Sequence, residues 1–187
     1  EKEYMDCAAD CSIIVPETKL MPSKRCSGYF AARRFDREGS ARRHMLTAAA
    51  ILEADWRTAS MDYHTLMKLT RILSRSNAAD TEQMFRRMCF NVFAHNRDDH
   101  AKNFTWIYDD TQDCWHSSPA YDLTWSTTYF GEHTTTVDGN GKDPGEKELL
   151  AVGRAAGIKL SVCKLIIKEI RSKTSSLAKK YKEVLLR

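Results

Sequence analysis

Four polar residues in one short region of the chain could together perform Mg²⁺-assisted phosphoryl transfer. Asn103 follows Asp98 by five positions, Lys102 lies between them, and Asp122 comes nineteen residues after Asn103. Phosphoryl transfer depends mainly on positioning and charge neutralisation. Because Mg²⁺ prefers oxygen ligands, the Asn103 carboxamide and the Asp122 carboxylate are candidate ligands. The Asp98 carboxylate is a candidate base for an attacking hydroxyl, and Lys102 would lie against phosphate oxygens.

The same residue types are also typical of turns. Asp, His and Asn side chains bond nearby backbone amides in turns. The stretch from Asp98 to Asn103 alone therefore leaves both readings open, one catalytic and one structural.

The segment between the two candidate sites predicts a β-hairpin. Residues 104–108 are aromatic and β-branched, residues 109–113 form a polar loop, and residues 114–117 can return as a second strand. An antiparallel hairpin would bring Asn103 close to the segment that holds Asp122. This arrangement favours a shared metal site over isolated turns.

The elements that must support this hairpin are mainly helical. Apolar periodicity and a capping-box pattern at Asp80 and Gln83 predict an α+β fold that is mainly helical. We expect helices over 1–12 and 44–58, around Leu66 to Leu73, around Met84 to Val92, and over 159–187, with a two-stranded stretch over 18–35.

Length and composition fit one compact unit. The chain has 187 residues, 42% of them hydrophobic, and a formal charge of +4. No run of 18 apolar residues occurs, so we expect a cytoplasmic protein with no membrane partner. The six scattered cysteines are typical of buried thiols rather than of a zinc site. The basic tail after Lys159 favours a solvated helix face, with DNA or an acidic partner as the alternative.

The motifs resemble those of the HipA family of bacterial serine/threonine kinases, the toxins of HipBA-type toxin–antitoxin pairs. The resemblance runs from Glu1 to about Gly157. It is carried by FNVF at 90–93, DDHAKNF at 98–104, PAYDL at 119–123 and the RFDR segment after Arg33.

This resemblance implies the fold and the activity. The expected fold is a protein-kinase-like large lobe of the HipA type, with a short β-hairpin carrying the catalytic and metal-binding loops. The expected activity is ATP- and Mg²⁺-dependent phosphorylation of a protein hydroxyl, in a translation component such as an aminoacyl-tRNA synthetase.

The resemblance also assigns the site residues. Asp98 corresponds to the catalytic base, and Asn103 and Asp122 to the Mg²⁺ ligands. The other nucleotide-binding positions are His100, Lys102 and Tyr121, together with Arg33, Arg34 and Phe35 at the adenine hinge.

A smaller lobe is expected before this chain. We predict that residues 1–40 hold the end of that lobe and the adenine hinge, and that residues 41–187 form the helical large lobe. No G-x-G-x-x-G loop occurs and the chain begins without methionine, so we expect a longer protein and no turnover by this piece alone. Glu3 is a candidate partner for the lysine of the missing lobe, although a helix dipole also favours acids there. His133 is a candidate substrate contact, or simply a surface histidine.

The resemblance further implies a HipB-like helix-turn-helix antitoxin as partner, with DNA contacted only indirectly through that complex. The alternative function is a non-catalytic kinase-like module that binds a DNA-binding antitoxin and takes part in operator repression.

Overall fold

The structure is a computed structural model that describes residues 1–55, 61–128 and 131–185. The described residues contain helices and short strands in mixed order, and a 3₁₀ turn covers Ala101–Asn103. The elements in chain order are α1 (Lys2–Asp10), β1 (Thr18–Met21), β2 (Tyr29–Ala32), β3 (Arg37–Glu38), β4 (Ala41–Arg42), β5 (Met45–Thr47), α2 (Ala48–Ile51), β6 (Met61–Asp62), α3 (Tyr63–Leu73), α4 (Ala78–Phe93), β7 (Thr105–Asp109), β8 (Cys114–Ser117), β9 (Thr135–Thr136), α5 (Glu146–Ala155) and α6 (Leu160–Leu185).

The predicted hairpin is present as β7 and β8. The two strands pair antiparallel, with Trp106 opposite Ser117, and β5 adds to the other side of β7. Beyond the last pair, the Ser118 N–H donates to the Thr105 carbonyl at 2.9 Å. The chain that enters β7 and the chain that leaves β8 therefore lie side by side.

Helix α4 is the centre of the core and packs against α3, α5 and α6. Its Met84, Phe85, Met88 and Cys89 are fully buried, as the helical periodicity predicts. Each such side chain contributes roughly 1.5–3 kcal/mol when buried. The helices approach closely at Gly153, where a Cβ atom would lie 2.6 Å from Phe85 Cε2. The result is a rigid support whose last turn leads directly into the candidate site.

Helix α1 and the β1–β2 pair also form where the sequence predicts them. The Tyr4 hydroxyl donates to the Ala94 carbonyl at 2.7 Å, which docks α1 on the carboxyl end of α4. The amino-terminal segment is thereby held beside the loop that follows α4.

The prediction of a single helix over residues 44–58 is wrong. Residues 45–47 form β5, which pairs with β7, and only residues 48–51 are helical. Thr47 ends the strand and caps the helix, since its Oγ1 accepts from the Ala50 N–H at 3.1 Å. Strand pairing thus overrides the helical propensity of the alanine run. Residues 56–58 of the expected helix lie outside the described residues.

The prediction of a capping box at Asp80 and Gln83 is also wrong. Asn77 caps α4 instead, and its Oδ1 accepts from the Ala79 N–H at 2.9 Å. Asp80 lies inside the first turn, and the Gln83 carboxamide oxygen accepts from the Ile14 N–H at 2.9 Å. Both side chains serve tertiary contacts rather than the helix end.

The carboxyl-terminal helix is confirmed as α6. No helix in the part of the chain that the structure describes is long and apolar enough to cross a membrane. The predicted division after residue 40 falls in the turn between the paired strands β3 and β4. That division stays a prediction.

Candidate active site

Within the first loop, residues 94–104, a hydrogen bond joins Asn103 to Asp98 and closes the stretch between them. Asn103 Nδ2 donates to the Asp98 carbonyl at 3.0 Å, and the Asn103 N–H donates to the His100 carbonyl at 2.9 Å. The Asp98 side chain is 55% exposed, and its Oδ1 lies 4.0 Å from His100 Nε2. Because the amide nitrogen of Asn103 is used, its Oδ1 is the atom that a cation would take. The carboxylate of Asp98 remains open to a substrate.

The second loop, residues 118–123, is bonded directly to the first. The Tyr121 hydroxyl donates to the Lys102 carbonyl and also contacts Thr105 Oγ1 at 2.6 Å. Burial raises the pKa of Tyr121, which keeps the phenol protonated and able to donate. Asp122 follows it at φ +57°, a backbone conformation uncommon outside glycine, with an exposed side chain. The residues next to both candidate metal ligands are therefore joined by hydrogen bonds.

Two side chains of helix α4 hold the start of the second loop and the strand residue before it. The Arg87 guanidinium donates to the Ser118 carbonyl, and Asp80 Oδ1 accepts from the Ser117 N–H at 2.7 Å. Arg87 is buried, and this burial lowers its pKa to about 10, so it stays charged at neutral pH. Its Nε and Nη1 have no hydrogen-bond partner in the described part of the chain. Burying a cation of this kind costs stability, and its hydrogen bond to the Ser118 carbonyl fixes the position of the second loop.

A buried polar network fixes the first loop at Asp99. This carboxylate is fully buried and accepts from the Tyr63 hydroxyl at 2.9 Å, His133 Nδ1 at 3.0 Å and the Thr135 N–H at 3.1 Å. Asn91 Nδ2 in α4 donates to the Tyr63 hydroxyl at 2.8 Å. Burial, followed by the charge of Asp99, raises the pKa of Tyr63 well above its usual range. Asp98 is therefore attached to a residue that two separate segments, α3 and residues 133–135, hold in place.

Further contacts hold the two flanks of the first loop. His95 adopts φ +55° and stacks on Trp125 with ring centroids 4.8 Å apart. On the other side, the Arg97 carbonyl accepts from the Thr134 N–H at 3.0 Å, and the Arg97 guanidinium donates to the Gly131 carbonyl. The loop is thus ordered along its length, as a precisely placed base requires.

Sequence reasoning missed Asp99 and misplaced His133. The structure places His133 in the interior, 3% exposed and bonded to Asp99, so a surface role in substrate contact is wrong. Neither periodicity nor spacing signals this pair, because the two residues are separated by 34 positions.

Glu3 lies away from the site. Its carboxylate binds Lys180 Nζ at 2.7 Å and the Tyr181 hydroxyl at 3.0 Å, which tethers α1 to α6. Glu1, in the same segment, interacts electrostatically with the site instead. Burial raises the pKa of Glu1, and the negative charge of Asp122 raises it further.

The expected hinge residues divide into two groups. Phe35 contacts the second loop, with its ring centroid 5.6 Å from that of Tyr121. Arg34 instead forms two hydrogen bonds to Asp36, at 2.8 and 2.6 Å, and Arg33 lies 3.7 Å from the Glu17 carboxylate. A shallow cavity of about 240 Å³ beside them is lined in part by all three hinge residues.

Comparison with known proteins identifies the family. The sequence profile of the HipA-like C-terminal domain matches residues 1–178. The chain belongs to this HipA-like family. No curated protein sequence matches the chain significantly.

Two solved structures share the fold of this HipA-like domain. HipA of Shewanella oneidensis MR-1, solved with HipB and operator DNA, has a TM-score of 0.72 at 18% identity and is matched over 98% of the present chain. The chain spans about half of that toxin, 48% of its length. The Helicobacter pylori proinflammatory kinase CtkA gives a TM-score of 0.52 at 11% identity, with 98% of the present chain and 82% of CtkA covered. The mixed α and β architecture is therefore a kinase-like fold.

Proposed function

We propose that this HipA-like domain is the large lobe of an ATP- and Mg²⁺-dependent serine/threonine protein kinase of the HipA toxin type. The observation that carries the proposal is the hydrogen bond from the Tyr121 hydroxyl to the Lys102 carbonyl. It joins the two loops at the residues that directly neighbour Asn103 and Asp122. This bond supports a site in which two oxygen ligands, Asn103 and Asp122, lie at one end of the β7–β8 hairpin.

The residues fit a magnesium ion bound together with a nucleotide. No group of three or more His, Cys, Asp or Glu side chains able to hold a metal occurs in the described ranges. Magnesium in nucleotide sites is typically held by one or two protein ligands, with phosphates and water completing the shell. The Asn103 carboxamide and the Asp122 carboxylate match that requirement. When bound, the ion neutralises phosphate charge.

The other residues take the remaining roles in this proposal. Asp98 accepts the proton of the attacking protein hydroxyl, for which its exposed carboxylate is suited. His100 and Lys102 line the phosphate side. At the hinge, the Arg33 N–H already donates to the Glu17 carbonyl at 2.8 Å, so adenine would use main-chain groups of residues 34 and 35.

The partners proposed for this chain follow from its family. The related toxin was solved with HipB and operator DNA, which supports a HipB-like helix-turn-helix antitoxin as partner and an indirect contact with DNA. By the same family reasoning, the substrate is a hydroxyl of a translation component such as an aminoacyl-tRNA synthetase.

The alternative is a non-catalytic module that only binds an antitoxin. The anchoring of both loops argues against it, because the buried carboxylate of Asp99 and the buried guanidinium of Arg87 both hold residues that lie beside the candidate site.

A calorimetric titration of the full-length protein with ATP, with and without Mg²⁺, tests the proposal. We expect nucleotide binding that strengthens when Mg²⁺ is present, since the ion would link phosphate oxygens to Asn103 and Asp122. An Asp110→Asn variant, altered in the exposed turn of the hairpin, should bind like the wild type. Binding that does not respond to Mg²⁺, or no binding, would favour the non-catalytic module.

A further inference from the structure

A cysteine, a histidine and an aspartate form a hydrogen-bonded row between strand β8 and helix α4. Cys114 Sγ lies 3.4 Å from His116 Nε2, and His116 Nδ1 lies 2.8 Å from Asp80 Oδ2. The cysteine and the histidine are two residues apart on β8, so they share one face of the strand. Asp80 reaches them from the first turn of α4.

The aspartate sets the tautomer of the imidazole. A carboxylate only accepts hydrogen bonds, so the proton of neutral His116 resides on Nδ1, facing Asp80. The lone pair of Nε2 then faces the sulfur, where it can take the thiol proton. Asp80 cannot easily rotate away, because its Oδ1 accepts from the Ser117 N–H at 2.7 Å. Nucleophile, base and orienting carboxylate therefore lie in the order that activates a thiol.

Three other cysteines in the described ranges, Cys26, Cys89 and Cys163, can be compared with Cys114. Cys163 Sγ packs beside Gly153 and lies 3.9 Å from the Ile158 carbonyl, and Cys89 is fully buried in the apolar core, where burial raises its pKa. Cys26 is exposed and donates to the Gly28 carbonyl at 3.4 Å. These thiols provide internal references, two of them buried and one exposed, in the same molecule.

We propose that Cys114 is a reversible modification site, a thiol activated by His116 that reacts with small soft electrophiles, namely low-molecular-weight disulfides. The sulfur transfers its proton to His116 and attacks one sulfur of the disulfide. One S–S bond forms, the original S–S bond breaks, and the departing thiolate takes the proton from the imidazole. The products are a mixed disulfide at Cys114 and one equivalent of free thiol, so no other oxidant is needed.

Access limits the kind of reagent. Cys114 is 8% exposed, whereas the His116 side chain is 28% exposed. The reagent must therefore be small, and it must enter beside the imidazole. The proposal does not depend on phosphoryl transfer, and its failure would leave the proposed kinase function unaffected.

The test measures the reaction of 4,4′-dithiodipyridine with the full-length protein at pH 7, with the modified cysteines resolved by peptide mass spectrometry. An unassisted thiol is only a few per cent thiolate at pH 7. Transfer of the thiol proton to His116 as the sulfur attacks would therefore raise the rate, by about tenfold once the lower nucleophilicity of an activated sulfur is allowed for. We expect the Cys114 rate to fall about tenfold in His116→Gln while the Cys26 rate is unchanged. His44→Gln is the matched control, since His44 contacts neighbouring Trp115 at 5.1 Å between ring centroids.

Two results would overturn the assignment. One is a Cys114 rate in His116→Gln equal to that of the wild type. The other needs no variant and applies even if His116→Gln does not fold: a wild-type Cys114 that reacts as slowly as the buried Cys89 and Cys163 is not an activated thiol.

Discussion

Asp98→Asn in the full-length protein is expected to lower the rate of phosphoryl transfer by about 10²–10⁴-fold, the usual contribution of a general base. Affinity for ATP and Mg²⁺ should change little. The main-chain carbonyl of Asp98, and not its carboxylate, closes the loop onto Asn103. An asparagine at this position therefore keeps the loop geometry and loses only the proton acceptor. Single-turnover transfer of labelled γ-phosphate to protein measures the rate.

The matched control for this experiment is Asp110→Asn. Asp110 is an exposed acid in the turn between β7 and β8, at the far end of the hairpin from the site. We expect it to transfer phosphate at the wild-type rate. Near-normal turnover in Asp98→Asn would remove Asp98 from the role of base, whatever the nucleotide affinity.

The largest effect on stability is expected from Asp99→Ala. Three buried donors, on Tyr63, His133 and Thr135, would lose their acceptor at once. A buried donor without a partner costs about 1–3 kcal/mol. The free energy of unfolding should therefore fall by at least about 3 kcal/mol, a large part of the roughly 5–15 kcal/mol that a typical domain has. Urea unfolding followed by circular dichroism measures this loss.

Two companion variants make the stability experiment specific. Tyr63→Phe removes one donor and should cost less than Asp99→Ala, because His133 and Thr135 keep their acceptor. Asp110→Ala removes an exposed carboxylate and should stay within about 0.5 kcal/mol of the wild type, as surface substitutions usually do. A loss below 1 kcal/mol in Asp99→Ala would show that the network does not hold the loop.

The parts of the site that sequence predicts are those set by local pattern. The hairpin over residues 104–117 is predicted by β-branched and aromatic residues on either side of a polar loop. Because β8 runs antiparallel to β7, the start of β7 lies beside the end of β8. The hydrogen bond from the Ser118 N–H to the Thr105 carbonyl shows this proximity. The contact between Tyr121 and Lys102 extends that proximity to the candidate metal ligands. Their roles, and those of the hinge residues, remain predictions.

The parts that sequence does not predict depend on distant partners. In the sequence, Asp99 is one of several polar residues in a row. It becomes a buried anchor only because Tyr63 and His133, from other segments, pack against it and donate hydrogen bonds to it. The strand over residues 45–47 is not predicted for the same reason. It pairs with β7, which is about sixty residues further along the chain. Local propensity carries no information about such contacts.

The most direct test of the account concerns a single divalent ion shared by Asn103 and Asp122. The Mg²⁺ dissociation constant of the ATP complex would be measured for the full-length wild type, Asn103→Ala, Asp122→Ala and the double variant. If both side chains bind one ion, each single change weakens Mg²⁺ binding, and the double variant is far less impaired than the sum of the two losses. Losses that add, or single variants that bind Mg²⁺ as the wild type does, would contradict a shared ion.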